Sequence, residues 1–591
     1  MDINALVYGN AKAPIPPRPD IYIDEDAESQ KRTWPLSRPR PLSAIAEGRE
    51  DLDETLSTSH AATKSKHESY DLSGSVFLIT NDGNILSLPM PSDSKHDPLN
   101  WSRWKTLGAM LALGWFSVTA LTVVQAASLM MKGINRDFRE EDAKPWTVET
   151  LVTAPTLFMG IGAFIWVPLS LALGRRPVFL LAALVNFLAT LSAGYAETFN
   201  QLLLCICFLG LGEGFALTSA LLMLIDMSFI HQRPTAIAAL WSAVGLFGTG
   251  GLFCVPYLSD QGLDWRLFYH TWSIPTGAAF LLAYFLAPET YFKRPTVAFN
   301  GLILLQSASE KLTVFEDHDK SDLYRDLPEF PIDNPKGQGI MHLIGFGRSP
   351  FASWKSMGRC YLQIGFCFIN PLIFWVLVAS SVNFAGMMFI GTTFSIILSA
   401  SPYKRSSHQI AFVNLSSGIG GAIAFLFVGI LMCSVLKYLS KRNKGVREAE
   451  HYLIGYIPTV FTGALSTLFY GLAVHYKWHF SVYYIAYGLN GFSWVSLSIG
   501  NTLWVTEAFP RWAAPALVVV GGGCYLLSYS MSFALVPWIN AHGYLLVGIE
   551  LTVLQVVTGL IAIPIAFWGK GLRQRIHGRW ANERGGALRP V

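Results

Sequence analysis

Residues 149–178 read ETLVTAPTLFMGIGAFIWVPLSLALGRRPV, an apolar stretch that ends in a basic turn. Within hydrocarbon, every backbone N–H and C=O must be satisfied inside the segment, so about 20 consecutive apolar residues indicate a membrane-spanning helix. Similar stretches fill the chain from Leu107 to Trp568, and basic clusters occupy every second gap between them. The sequence therefore predicts an all-α membrane protein that transports or senses something at a bilayer.

The apolar stretches predict twelve spans in two sets of six. The first set lies near residues 106–131, 149–172, 177–196, 200–226, 235–258 and 268–288, and the second near residues 363–392, 408–436, 452–474, 479–503, 513–538 and 544–568. Asn370-Pro371 lies inside the seventh of these spans, where a missing proline N–H bends a helix. We therefore predict a bent or broken helix at that position, and broken helices often border transport sites.

Polar segments divide the chain into five parts. These are a largely disordered tail (1–100), a first six-helix half (101–290), a central loop (291–358), a second six-helix half (359–568) and a C-terminal tail (569–591). Basic residues in the central loop and both tails decide the orientation, because Lys and Arg concentrate on the cytoplasmic side of a membrane. Both termini and the central loop are therefore predicted to be cytoplasmic.

The composition excludes several classes of function. Charged residues make up 14% of the chain, whereas soluble domains contain about 25%. The net charge of +4 lies in short loops and the C-terminal tail, so no nucleic-acid partner is expected. No Ser/His/Asp, metal-ligand or phosphate-binding constellation is present, which argues against an enzyme, a bound cofactor or a metal.

The two halves carry similar basic turns at matching positions. Gly174-Arg175-Arg176-Pro177 follows the second span, and Lys437 with Lys441-Arg442 follows the eighth. Basic turns at matching places indicate an internal duplication. Such repeats place a substrate site near the membrane midplane, between the halves.

An ordered set of short motifs resembles the major facilitator superfamily, and within it the fungal branch of twelve-span drug:proton antiporters that includes polyamine and multidrug carriers. The motifs are Asn81-Asp82-Gly83-Asn84-Ile85-Leu86, Pro91-Ser92, Asp97-Pro98-Leu99-Asn100-Trp101-Ser102, Trp166 to Ser170 leading into Gly174 to Val178, Glu213, Asp226, Phe229, His231, Arg233, Trp265-Arg266, Pro288-Glu289-Thr290, Ser401-Pro402-Tyr403, Glu448 and Glu450. The resemblance covers about residues 75–570.

This resemblance implies a major facilitator fold of 12 transmembrane helices in two six-helix halves. It also implies a monomeric exporter driven by a proton gradient, in the plasma membrane or, as the alternative, the vacuolar membrane. The implied partners are the lipid bilayer, protons and a small amphipathic or cationic organic substrate, such as a drug, a polyamine or a secondary metabolite.

Several positions depart from the superfamily's pattern. Leu171 stands where an aspartate is usual, Ala172 replaces an arginine, and Ile206 replaces an arginine embedded in the membrane. The antiporter motif of the fifth span keeps glycines at 245, 248, 250 and 251 but lacks its proline. An uncoupled uniporter or importer is therefore the first alternative, and a transporter-like membrane sensor is the second.

Glu213 is the strongest candidate for binding a proton or the substrate. It lies about halfway along the fourth span, among Gly210, Gly212 and Gly214. A carboxyl group in a bilayer is costly, usually faces a cavity or a partner, and favours its protonated form when buried. We predict that Glu213 binds a proton and the substrate in competition; the alternative is a protonated side chain hydrogen-bonded between helices. Gly210 and Gly214 are predicted to let another helix approach closely.

Other polar and aromatic groups in the spans are candidates for binding substrate. They are Gln125, Asn370, Asn383, Asn414 and Asn490, with Trp241, Trp375, Trp494 and Tyr525. Amides in spans line cavities or bond across helices, and aromatic faces stack on flat or cationic ligands or pack against core and lipid. The predicted coupling and substrate site consists of Glu213, Gln125, Asn370, Trp375 and Asn490.

Residues at the ends of spans predict a cytoplasmic gate. They are Gly174, Arg175, Arg176, Asp226, Arg233, Glu507 and Arg511. Asp226 ends a helix, where the helix dipole does not favour a negative charge, so it should pair with Arg175 or Arg176. Glu507 and Arg511 lie on the facing half and are predicted to complete the gate. The alternative for the arginines is simple anchoring at the cytoplasmic side.

Overall fold

The computed structural model describes residues 97–139, 141–292, 345–443 and 446–581, with the short segments 75–77, 303–306 and 312–315 and the single residues 89 and 91. All of these belong to one compact unit, residues 71–591. Most of the predicted N-terminal tail and central loop lies outside the described residues, as does the side chain of Arg511.

The described part of the chain is almost entirely helical. Its α-helices are α1 (Arg103–Ala126), α2 (Met131–Asp137), α3 (Thr150–Leu173), α4 (Arg175–Gly194), α5 (Phe199–Ala216), α6 (Ser219–Asp226), α7 (Arg233–Ala243), α8 (Val255–Leu258), α9 (Trp265–Leu286), α10 (Trp354–Ile369), α11 (Pro371–Ser399), α12 (Ser407–Ala424), α13 (Met432–Arg442), α14 (Tyr456–Tyr476), α15 (Ser481–Ala508), α16 (Ala513–Leu517), α17 (Gly523–Leu560) and α18 (Ala562–Ala581).

Short segments of other geometry extend or join these helices. The π-helical ones are Val244–Thr249, Phe425–Leu431 and Val518–Gly522, and the 3-10 ones are Pro98–Asn100, Ala127–Leu129, Gly250–Cys254, Ala449–Gly455 and Pro510–Trp512. The strands are β1 (Ser75–Phe77), β2 (Ile303–Gln306), β3 (Leu312–Phe315) and β4 (Val446–Glu448). β1 pairs antiparallel with β4, and β2 with β3. The sequence analysis did not anticipate the pairing of β1 with β4.

Among the described residues, nine helical segments are long and apolar enough to cross a membrane. One of them, Ala513–Arg573, has 61 residues, about three times the length that one crossing needs. It is broken at Gly543, whose φ of 74° does not belong to a helix. α9 and α15 are two further long helices, at the positions predicted for the sixth and tenth spans. The total of twelve spans stays a prediction.

Two helices form the seventh predicted span. α10 ends at Ile369, and Asn370 adopts an extended conformation before α11 begins at Pro371. The Asn370 side chain accepts a hydrogen bond of 3.0 Å from the amide of Leu372. Proline suits the first position of a helix, where no N–H is needed. The predicted interruption at Asn370-Pro371 is present, and it is a break between two helices rather than a bend within one.

The glycines around Glu213 allow α5 to lie directly against α3. A β-carbon on Gly210 would lie 2.5 Å from the carbonyl oxygen of Pro155, and one on Gly214 would lie 2.6 Å from that of Met159. In a membrane, small residues drive helix association by letting backbones approach closely. The predicted packing role of Gly210 and Gly214 is confirmed.

Two glycine seams join the halves. In the first seam, a β-carbon on Gly418 of α12 would lie 2.7 Å from the α-carbon of Gly250, and one on Gly421 would lie 3.3 Å from that of Gly245. The glycines of the degenerate fifth-span motif therefore serve as a packing surface. In the second seam, a β-carbon on Gly522 would lie 2.7 Å from the Ala163 side chain of α3.

Substituting Gly418 by alanine should destabilise the protein by about 1–3 kcal/mol, the usual cost of overpacking. The new methyl group would meet the α-carbon of Gly250 and, at 2.9 Å, the carbonyl oxygen of Leu246, and neither backbone atom can rotate away. Thermal unfolding in detergent measures the loss. Gly365→Ala in α10 is the matched control, because no atom lies within 4 Å of its added β-carbon. Equal unfolding temperatures for the two variants would contradict a tight seam.

Candidate functional site

A cavity with an empty volume of about 530 Å³ lies between the two halves. Leu217, Leu221 and Trp241 line it from the first half. The second half contributes Ser380, Asn383, Phe384, Trp494, Leu497, Ser498, Asn501, Thr502, Leu517, Val520, Gly521, Cys524 and Tyr525. The cavity thus lies where the duplication predicted a substrate site.

Amide groups supply hydrogen-bonding capacity in this cavity. The Asn383 amide donates to the Ser493 hydroxyl at 2.7 Å, and the Asn501 amide donates to the Ser380 hydroxyl at 2.6 Å. Within the described part of the chain, the side-chain oxygen of Asn383 has no hydrogen-bond partner. An unpaired buried acceptor is costly, so a ligand donor placed here would be favoured.

Aromatic rings form much of the cavity wall. Trp241 and Trp494 meet edge to face at 5.8 Å across the two halves. Within the second half, Phe384 and Tyr525 meet edge to face at 4.9 Å. The Trp241 indole also donates to the Thr502 hydroxyl at 3.3 Å, which orients the ring. Rings held in this way present apolar surface and π faces that attract cations.

Glu213 does not line this cavity; it lines an adjoining one. Its side chain is fully buried, and both carboxylate oxygens lack a hydrogen-bond partner among the described residues. It lines a smaller cavity, of about 230 Å³ empty volume, that shares Leu217, Leu221 and Trp241 with the larger one. The carboxyl group is therefore a buried acid with unused hydrogen-bonding capacity, next to the space between the halves.

Other predicted substrate residues lie away from the cavity. The Trp375 ring stacks on Tyr456 at 5.4 Å and meets Trp504 at 5.8 Å. Its indole donates to the carbonyl oxygen of Thr558 at 2.8 Å. Trp375 therefore belongs to a packed aromatic cluster and does not line the cavity.

The three predicted amides, those of Asn370, Asn490 and Gln125, lie in different parts of the structure. Asn370 caps α11, as described above, and Asn490 is fully buried, with its amide 3.3 Å from the Ser466 hydroxyl. Gln125 is partly exposed near the end of α1. None of the three lines the cavity.

Four polar cavity residues escaped the sequence analysis: Ser380, Ser498, Asn501 and Thr502. A signal for three of them is present in α15, where the lining residues Trp494, Leu497, Ser498, Asn501 and Thr502 recur every three or four positions. That spacing marks one face of a helix. It mixes large apolar and small polar residues, so hydropathy alone does not reveal it.

Gate residues of the first half come together at one end of the bundle. The Arg175 guanidinium is fully buried, and its Nε lies 3.4 Å from the Asp226 carboxylate. The predicted contact between these residues is present. We call the end of the bundle that holds Arg175, Asp226, Arg233 and Glu507 the basic face.

Glu289 holds the start of α4 at the basic face. Its carboxylate accepts hydrogen bonds from the main-chain N–H groups of Arg175 at 3.0 Å, Arg176 at 3.3 Å and Tyr291 at 2.8 Å. An anion at a helix N-terminus is favoured by the helix dipole. Gly174, with a φ of 116°, is needed because a β-carbon there would lie 2.5 Å from the Glu289 carboxylate. Burial raises the pKa of Glu289, although these hydrogen bonds oppose the shift.

The second half has corresponding contacts at the start of its third span, but there the acids and the bases have exchanged places. Arg573 of α18 places its Nη2 3.0 Å from both carboxylate oxygens of Glu450, and Lys570 lies 2.6 Å from Glu448. Burial raises the pKa of Glu448, but the hydrogen bond and charge of Lys570 hold it below its ordinary value. The bases Lys570 and Arg573 thus lie on the last helix, whereas the acid Glu289 lies in the segment after α9. The matched positions fit an internal duplication.

Contacts between the halves close the basic face. The Arg233 guanidinium of α7 lies 2.6 Å from the Glu507 carboxylate of α15, and both side chains are nearly buried. Next to them, the Thr235 hydroxyl lies 3.4 Å from the thiol of Cys433 in α13. The Arg447 guanidinium donates to the carbonyl oxygen of Ile230 at 3.4 Å. Glu507 therefore takes the predicted position on the facing half, and Arg233 is its partner.

His231 lies near this contact and adds no charge to it. Burial, together with the charges of Arg447 and Lys437, lowers the pKa of His231 to about 4. The imidazole is therefore neutral near pH 7. The ion pair between Arg233 and Glu507 therefore joins the halves without a charge from His231.

Comparison with known proteins places this architecture in a family. The sequence profile of the Major Facilitator Superfamily matches residues 106–523. An uncharacterized MFS-type transporter of Schizosaccharomyces pombe is 24% identical over 530 residues, spanning 84% of this chain and 89% of the relative. Protein HOL1 of Saccharomyces cerevisiae is 23% identical over 557 residues, spanning 84% and 91%.

A solved structure supports the same fold. The proton:xylose symporter XylE of Escherichia coli, bound to 6-bromo-6-deoxy-D-glucose, aligns with a TM-score of 0.50 at 16% identity, over 80% of this chain and 98% of XylE. The protein is therefore a multi-pass membrane transporter with a major facilitator fold. The profile spans most of the chain, and the chain belongs to the Major Facilitator Superfamily.

Proposed function

We propose that this transporter exports a small amphipathic or cationic organic molecule in exchange for protons. The observation that carries the proposal is Glu213, a fully buried carboxyl group without a hydrogen-bond partner among the described residues, next to the aromatic cavity. A buried acid takes a proton or pairs with a cation. Aromatic walls with a few amides suit a ligand that is part apolar and part polar.

Exchange follows if the proton and the substrate compete for Glu213. Each ligand then shifts the same population between states that open to opposite sides. The ion pair between Arg233 and Glu507 supports a state that is closed at the basic face. We propose that this face is cytoplasmic, that the protein acts as a monomer in the plasma membrane, and that the proton gradient is its energy source.

An uncoupled uniporter or importer is the second candidate. Ile206, which replaces the embedded arginine of the resembled family, is buried in the apolar core of α5. Leu171 and Ala172, at the other departing positions, are also fully buried. These side chains cannot take part in proton transfer, so in our proposal the coupling depends on Glu213.

Flux into proteoliposomes distinguishes the two candidates. The full chain is reconstituted, and uptake of a polyamine and of a lipophilic cationic dye is measured with and without an imposed pH gradient. Valinomycin and potassium hold the membrane potential at zero, and protein-free liposomes report leak. Proton exchange predicts flux that rises with the gradient for at least one substrate. Flux that ignores the gradient would establish the uncoupled candidate, and no flux of either compound would withdraw the cationic-substrate assignment.

A further inference from the structure

An open cleft lies on the side of the bundle at the basic face, apart from the central cavity. Its empty volume is about 450 Å³. It is lined by Trp104, Lys105 and Gly108 of α1, by Arg176 of α4, and by the segment 285–288 that ends α9 and follows it. The cleft thus opens between helices of one half, at the level where the first helix begins.

Two cationic side chains, those of Lys105 and Arg176, line this cleft, and neither forms an ion pair among the described residues. Lys105 lies 4.7 Å from the Trp101 ring and, among the described residues, forms no ion pair. The Arg176 Nη2 donates to the carbonyl oxygen of Tyr284 at 3.1 Å, while its buried Nε has no partner in the described part of the chain. The Arg176 main-chain N–H donates to Glu289 at 3.3 Å, and among the described residues the Arg176 guanidinium does not pair with that carboxylate. Among the residues that the structure describes, none that lines the cleft is acidic.

An apolar groove continues from the cleft toward the middle of α1. Trp104, Leu107 and Leu111 are 83%, 46% and 53% exposed and recur at helical spacing on one face. Phe285 of α9, 75% exposed, borders the same cleft. At Gly108 an added β-carbon would lie 3.6 Å from the Leu286 side chain, so glycine keeps the floor of the cleft open.

We propose that the cleft binds the phosphate headgroup of an anionic phospholipid, with an acyl chain along the groove of Trp104, Leu107 and Leu111. Guanidinium and ammonium donors bind phosphate oxygens strongly, and basic pockets between membrane helices recognise anionic headgroups. Tryptophan is favoured at the headgroup level of a bilayer. The bound lipid would lie beside Arg176, one residue from the Arg175 that pairs with Asp226. The assignment does not depend on the transported substrate.

Lipid binding to the full-length protein in detergent micelles tests the assignment. Native mass spectrometry measures binding of phosphatidic acid and of phosphatidylcholine to the wild type, Lys105→Gln, Lys105→Glu and the control Lys441→Gln. Lys441 is exposed on α13 at the same face but does not line the cleft. We expect preferential binding of phosphatidic acid, about fivefold weaker for Lys105→Gln, weaker still for Lys105→Glu and unchanged for Lys441→Gln.

The other outcomes would overturn the assignment. Equal binding of the two lipids by the wild type would remove the need for a basic headgroup site. Unchanged affinity in both Lys105 variants would place the site elsewhere. Competition by millimolar inorganic phosphate as effective as that by phosphatidic acid would show a free-phosphate site and dismiss the acyl groove. Thermal unfolding of each variant confirms that a lost affinity is not a lost fold.

Discussion

Glu213→Gln is expected to remove the pH response of transport while leaving the protein folded. Glutamine has nearly the same shape, and the Glu213 carboxyl group has no hydrogen bond to lose among the described residues. A neutral amide neither releases a proton nor pairs with a cation. Truncating one partner of a buried charge pair costs about 2–5 kcal/mol. Uptake of a cationic substrate should therefore require a concentration roughly 30-fold higher or more.

The measurement is the initial rate of uptake in proteoliposomes as a function of substrate concentration, at two imposed pH gradients. Glu550→Gln is the matched control, because Glu550 is partly exposed and bonds to His542 at 2.8 Å and Trp538 at 2.6 Å, away from the cavity. Glu213→Asp should keep a response to the gradient, since it keeps a titratable group. A Glu213→Gln protein with the rate and pH response of the wild type would dismiss the coupling role.

Thr235→Cys should form a disulfide with the native Cys433 and stop transport completely under oxidising conditions. The Thr235 hydroxyl and the Cys433 thiol belong to different halves and lie 3.4 Å apart, and a disulfide draws two sulfurs to about 2.05 Å. Alternating access requires the halves to separate at each face in turn. A covalent link beside the ion pair of Arg233 and Glu507 would hold the basic face closed, and reductant should restore transport.

Thr235→Cys combined with Cys433→Ser is the control, because it keeps the new thiol and removes its partner. Peptide mass spectrometry verifies the link, and flux is compared before and after reduction. The other six cysteines remain in both proteins, so unrelated oxidation affects them equally. Full transport by a completely cross-linked protein would show that the halves do not part at this face.

The sequence predicted the helices well because their cause is local. A run of apolar residues must form a helix to satisfy its own backbone in hydrocarbon, whatever its neighbours do. The packing role of Gly210 and Gly214 and the contact of Arg175 with Asp226 were also accessible, since helix ends and small-residue spacing are visible in the chain. Asn370-Pro371 indicated an interruption but not whether the helix bends or breaks, because hydropathy continues smoothly across it, while proline capping depends on the local hydrogen bond to Leu372.

The sequence by itself determined the membrane class, the positions of the helices and the exceptional character of Glu213. Only the tertiary structure decided which polar groups share a space. Asn490 and Trp375 lie in packed surroundings, while Asn501, about three helical turns from Asn490 on the same face of α15, lines the cavity. The physical reason is that convergence depends on which neighbours each residue meets along its helix and on close contacts between distant residues, such as Gly250 with Gly418. Hydrophobicity sets what enters the membrane, and packing between the halves sets what faces the substrate.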